Sequence, residues 1–149
     1  MEKLNCKSLM IGDWVYNSKG EVCKVCSISQ IFESNILLDN YSKPNDGMFE
    51  TELEFGVSPI PITREILEKN GFVYRKNSGA FIVYAEESYS NQTVEVTLFN
   101  VESEFRNNQL HICESYGPQE TMLHLMECNY VHELQHVFRS CGIKKEIVL

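Results

Sequence analysis

Between Thr93 and Phe99 the chain alternates, with Val94, Val96 and Leu98 set against Glu95, Thr97 and Phe99. A period of two is that of a strand with one covered face and one mostly wet face. β-Rich runs at 72–74, 81–84 and 109–113 extend this into an antiparallel sheet. Lys76-Asn77-Ser78-Gly79 is the turn between the first two, and Asn107-Asn108 is predicted as a tight turn into the last. Upstream, Asp13-Trp14-Val15-Tyr16 and Val22-Cys23-Lys24-Val25-Cys26-Ser27-Ile28 flank the turn signal Asn17-Ser18-Lys19-Gly20 and read as a hairpin. Ile36-Leu37-Leu38-Asp39 makes a third strand, followed by a loop over 40–47 rich in Asn, Ser, Pro, Asp and Gly. Short strands at this spacing predict a small antiparallel β unit over residues 1–58, either an SH3-like barrel or a three-stranded meander.

The period then changes. Pro59-Ile60-Pro61-Ile62 favours extended backbone, Thr63 is placed to N-cap a short helix over 64–70 with Glu65 in its first turn, and Gly71 is the natural stop. Ile66 and Leu67 form its inner stripe, with Ile62 positioned to staple the entry. A second helix is predicted from Asn129 as cap. Tyr130, Leu134, Val137, Phe138 and Cys141 recur at i, i+4, i+7, i+8 and i+11, and Gly142 ends it. Residues 143–149 read as a closing strand or an ordered extension. Residues 122–128 read as a strand in preference to an early helix start at Pro118. The fold class is therefore α+β: a small β unit over 1–58, then a sheet with a short helix and a C-terminal helix over 59–149. The pattern admits either two cores or one shared core.

At 149 residues and 43% hydrophobic composition the chain has material for one ordinary core or two very small ones. It contains no run of eighteen apolar residues, and its opening residues lack the apolar stretch of a signal peptide, so a cytoplasmic protein without a membrane segment is expected. In that setting Cys6, Cys23, Cys26, Cys113, Cys128 and Cys141 are expected to stay reduced as small apolar fillers. The formal charge of −8 repels a phosphate backbone, which makes nucleic acid a poor partner and suits either solubility or a basic one. Oligomerisation is left open.

His132-Glu133-Leu134-Gln135-His136 is an H-E-x-x-H motif, in which two histidines one helical turn apart share a zinc ion and the glutamate serves as general base. On this reading His132 and His136 are metal ligands and Glu133 is catalytic. Helical geometry argues otherwise, because at 100° per residue both histidines project with Gln135 and Arg139 away from the Tyr130, Leu134, Phe138 stripe, toward water. A third ligand is also wanting: Gly142 stands where the extended motif needs a histidine, Glu146 follows too closely, and no spacing selects among His111, Cys113 and His124. His132 would further lie in the first turn, where the helix dipole opposes a cation. The expectation is a solvated face with no catalytic, cofactor or metal residue.

Other candidates weigh the same way. Cys23-x-x-Cys26 has no second pair to complete a zinc ribbon, and on a strand its members face opposite sides. His111 and Cys113 share one strand face and read as half-buried packing. The ladder His124, Cys128, His132, His136 forms only if a single helix runs from Pro118 to Cys141. No nucleophile elbow, phosphate-cradling loop or dinucleotide fingerprint is present. The aromatics Tyr84, Tyr89, Phe99, Phe105 and Tyr116 suit an interaction surface as well as a core.

Three segments carry a resemblance. Ile11-Gly12-Asp13-Trp14-Val15-Tyr16, the stretch from Pro59-Ile60-Pro61-Ile62-Thr63 to Asn70-Gly71-Phe72, and Tyr130-Val131-His132-Glu133-Leu134-Gln135-His136 resemble a group of small uncharacterised proteins of Bacteroidales phages, prophages and mobile elements. Their last helix is written V-H-x-L-Q, with Gln accepted in place of Glu and the second His often replaced. The resemblance implies that Glu133 and His136 serve no shared catalysis. The resulting expectation is a non-enzymatic accessory protein that binds a host or phage protein, or a small ligand, through an acidic sheet surface. The alternative is a zinc-dependent hydrolase.

Overall fold

A computed structural model of the chain describes residues 4, 8–29, 35–40, 50–53, 56–86, 93–101, 107–116 and 119–149. It is an α+β protein, and it divides into two compact units, Met1–Ile60 and Pro61–Leu149.

The first unit is a sheet of five antiparallel strands: β1 (Trp14–Tyr16), β2 (Val22–Ser29), β3 (Asn35–Asn40), β4 (Glu50–Leu53) and β5 (Ser58–Pro59), in the order β4-β3-β2-β1-β5. The β1–β2 hairpin closes as its sequence requires. Asn17 Oδ1 accepts from the backbone N–H groups of Lys19 and Glu21 at 3.0 and 2.8 Å, and Gly20 supplies the left-handed residue at φ 77°. A bulge between Val25 and Ser27 makes Cys26 the extra residue of β2. Leu9, Val15, Cys23, Val25, Ile36, Leu38 and Val57 form the core of this unit. Of the loop read over 40–47, Asn40 ends β3 and the remainder lies outside the described residues, as do Cys6, Tyr89, Phe105 and Pro118.

In the second unit α1 (Arg64–Lys69) precedes a meander of β6 (Val73–Arg75), β7 (Ala80–Glu86), β8 (Thr93–Phe99), β9 (Gln109–Tyr116) and β10 (Gln119–Glu127), which α2 (Val131–Ser140) follows. Strand register builds the covered face row by row. Phe81 stands across from Leu98, Leu98 from Leu110, and Leu110 from Met126, while Val83, Val96 and Ile112 form the next row. Val131, Leu134, Val137 and Phe138 of α2 and Leu67 of α1 are buried with them. The opposite face carries a polar chain in which Arg75 donates to the Tyr84 hydroxyl, Tyr84 to Glu95 and Thr97 to Glu95, at 2.9, 2.9 and 3.0 Å.

Both helices stop the same way. Phe72 N–H donates to Leu67 O and Gly71 N–H to Glu68 O; Ile143 N–H donates to Phe138 O and Gly142 N–H to Arg139 O. Each is a Schellman motif around a left-handed glycine, at φ 77° and 64°, and the apolar residues that bound it, Leu67 and Phe72 or Phe138 and Ile143, are buried. After Gly142 the chain runs on as an ordered extension. Asn70 clasps it, donating to Val148 O at 2.8 Å and accepting from Val148 N–H at 2.9 Å.

Two expectations about connections fail. Nine residues, not a two-residue turn at Asn107-Asn108, separate β8 from β9. Asn108 is instead buried, with its N–H held by Asn129 Oδ1 at 3.0 Å and its carbonyl accepting from Cys128 N–H at 2.9 Å. With that oxygen engaged, Asn129 does not cap α2, and the N-cap position falls to Tyr130.

Candidate functional site

The H-E-x-x-H segment occupies the first half of α2, and its three polar side chains have three separate environments. Glu133 is the third residue of the helix and folds back over its start. Its Oε2 accepts from the backbone N–H of Asn129 at 2.7 Å and of Tyr130 at 3.0 Å. These are donors that a helix start leaves without intrahelical partners, so the carboxylate serves as the helix cap in a favourable dipole position. The oxygen that would deprotonate a metal-bound water is thus held by main-chain amides.

His132 corrects the expectation of a solvent-facing histidine: it is 3% exposed, and Gln135 is 7% exposed. Arg139, seven residues on and nearly at the same helical angle, is exposed. Burial on this side is therefore confined to the first half of the helix. There the Tyr130 ring lies nearly parallel to the His132 imidazole, 6.0 Å between centroids at 14°. His136, half-buried, meets His132 edge to face at 5.7 Å. The histidines are neighbours, yet no group of three His, Cys, Asp or Glu side chains suited to hold a metal ion occurs among the described residues.

The remaining sequence candidates are dispersed. His124 belongs to β10, Cys128 to the link after it, and His132 and His136 to α2, so the four-residue ladder on one helix does not form. His111 turns its ring to Phe99, 4.8 Å away, on the outward sheet face. Cys23 is buried in the first unit while Cys26 sits at the β2 bulge, where burial above all, and then the nearby Asp39, pushes its thiol up. Cys128 is buried behind the cap. Desolvation, reinforced by the charge of Glu133, pushes its thiol strongly up and makes it a packing residue rather than a nucleophile.

Sequence reasoning missed a cavity of about 240 Å³ between α2 and the end of β10, lined by Met126, Glu133, His136, Val137, Ser140 and Cys141. It opens where the covered sheet face runs out: Met126 ends the row Phe81, Leu98, Leu110, and at the margin it is 40% exposed. The helical spacing 133, 136, 137, 140, 141 is visible in the sequence, but the gap beside it depends on where the sheet stops. No helix among the described residues is long and apolar enough to cross a membrane. No protein-family model matches this chain, and no curated protein or solved structure does.

Proposed function

We propose that this is a non-enzymatic binding protein, an accessory protein of a phage or mobile element, and not a zinc hydrolase. The observation that carries the reading is the Glu133 carboxylate, which accepts the amides of Asn129 and Tyr130 and so serves the helix rather than a reaction. Further support comes from the first unit. Its strand order β4-β3-β2-β1-β5, with a bulged β2, supports reading it as an SH3-like small barrel, an architecture that commonly serves recognition. A charge of −8 favours a basic partner in the cell interior.

Elemental analysis of the purified full-length chain tests the proposal. The expected result is far less than one zinc per chain and a melting temperature that a chelator leaves unchanged. One tightly held zinc per chain, lost in His132→Ala or His136→Ala, would overturn it in favour of the hydrolase.

A further inference from the structure

Among the described strands β10 has one neighbour, β9, so it is an edge of the sheet. An edge strand presents every second N–H and C=O outward, and proteins commonly blunt such edges with lysine or proline. Neither occurs in β10. What it has is a bulge at Leu123, the extra residue between Met122 and His124, which leaves residues 124–127 as a regular stretch available for pairing. That stretch contains Met126 and so borders the cavity on α2.

The register fixes what an added strand would do. The covered face grows by one side chain per strand along the row Phe81, Leu98, Leu110, Met126. A further strand would set its next inward side chain about 5 Å from Met126, over Val137 and Cys141, where the cavity now lies. A volume of 240 Å³ is ample for one large apolar side chain, since a cavity of about 150 Å³ accepts a benzene-sized group. The electrostatics select the neighbours of that side chain. Glu127 ends the stretch and Glu133 lines the cavity, no Lys or Arg lines it, and the chain carries a charge of −8.

We infer that residues 124–127 of β10 bind an extended basic peptide segment by strand addition, with one of its large apolar side chains anchored in the cavity between Met126 and α2. This rests on the binding-protein reading and gives it a site and a partner chemistry.

The test uses the full chain in chelator, so that zinc content bears on the proposed function alone. Three fluorescein-labelled, end-blocked heptamers serve as probes: alternating lysine and leucine, alternating glutamate and leucine, and alternating lysine and alanine. Fluorescence anisotropy should show the lysine–leucine peptide binding at least tenfold more tightly than either control. Ser140→Trp fills the cavity from an exposed position, Glu127→Lys reverses charge at the exposed end of the edge, and each should weaken binding at least fivefold with the far-UV spectrum intact. Equal binding of the three peptides, or full binding by a folded Ser140→Trp protein, refutes the proposal. So does light scattering that shows a dimer broken by Glu127→Lys, since the edge would then belong to a second copy of the chain.

Discussion

Replacing Glu133 by alanine removes the acceptor of two amide hydrogen bonds, at 2.7 and 3.0 Å, from the start of α2. Hydrogen bonds to a charged group contribute about 1.5–3 kcal/mol each, and a carboxylate in the first turn gains roughly 0.3–1 kcal/mol from the helix dipole. Glu133 is half-buried, so water recovers part of this in the variant, and the expected loss is about 2–3 kcal/mol. For a unit of this size that lowers the melting temperature by roughly 8–24 °C. Glu133→Gln keeps an acceptor oxygen and gives up only the charge, so about 1 kcal/mol is lost. Thermal denaturation gives the magnitudes, and hydrogen exchange at the Asn129 and Tyr130 amides gives the location: protection should collapse in the alanine variant and persist in the glutamine variant. An alanine variant that melts with the wild type and keeps both amides protected would show that the carboxylate does not hold the helix start, and would restore Glu133 as a free base.

Three other perturbations have defined outcomes. Burial and the charge of Glu133 raise the Cys128 thiol, so the folded state retains a proton that the unfolded chain releases. Its stabilising share is full below about pH 8.5 and shrinks above it by up to ~1.4 kcal/mol per pH unit. Urea unfolding of wild type and Cys128→Ala should diverge in slope across that range, and native Cys128 should resist iodoacetamide. Asn70→Ala removes bonds to Ile66 O, Val148 O and Val148 N–H, costing about 2–4 kcal/mol, with exchange accelerating at Val148. Gly142→Ala forces a side chain onto φ 64° and should cost about 1–2 kcal/mol by denaturant titration.

Much of the fold is written locally. Val94, Val96 and Leu98 announce the covered sheet face because each strand meets its neighbours with the same parity, although Ile82 and Thr97 on the other face are buried as well, and Gly71 and Gly142 announce helix ends because the left-handed conformation is theirs at little cost. The same holds for Thr63, whose hydroxyl accepts from Ile66 N–H as a cap should. The misses arise where a distant partner decides. Asn129 has the right side chain for a cap, but Asn108, twenty-one residues earlier, engages it. His132 lies on the polar side of the helical wheel, yet a wheel averages over the whole helix, whereas its enclosure belongs to the first turn beneath Tyr130. Glu133 was legible as a favourable first-turn charge. That its carboxylate turns to the amides rather than outward is the glutamate half of a capping box on Tyr130, hidden when Asn129, four residues before Glu133 and not three, is read as the cap.

The clasp between Asn70 and Val148 also bears on how this protein is made. On a ribosome Asn70 is polymerised seventy-eight residues before the backbone it grips, an interval of about 4–16 s at the usual rates of translation. Within that interval β7, β8 and β9 are completed before α2, leaving the nascent chain for part of it with Leu98 and Leu110 uncovered. Vectorial synthesis thus gives the second unit a period of exposure to chaperones that lasts until α2 can pack on the sheet.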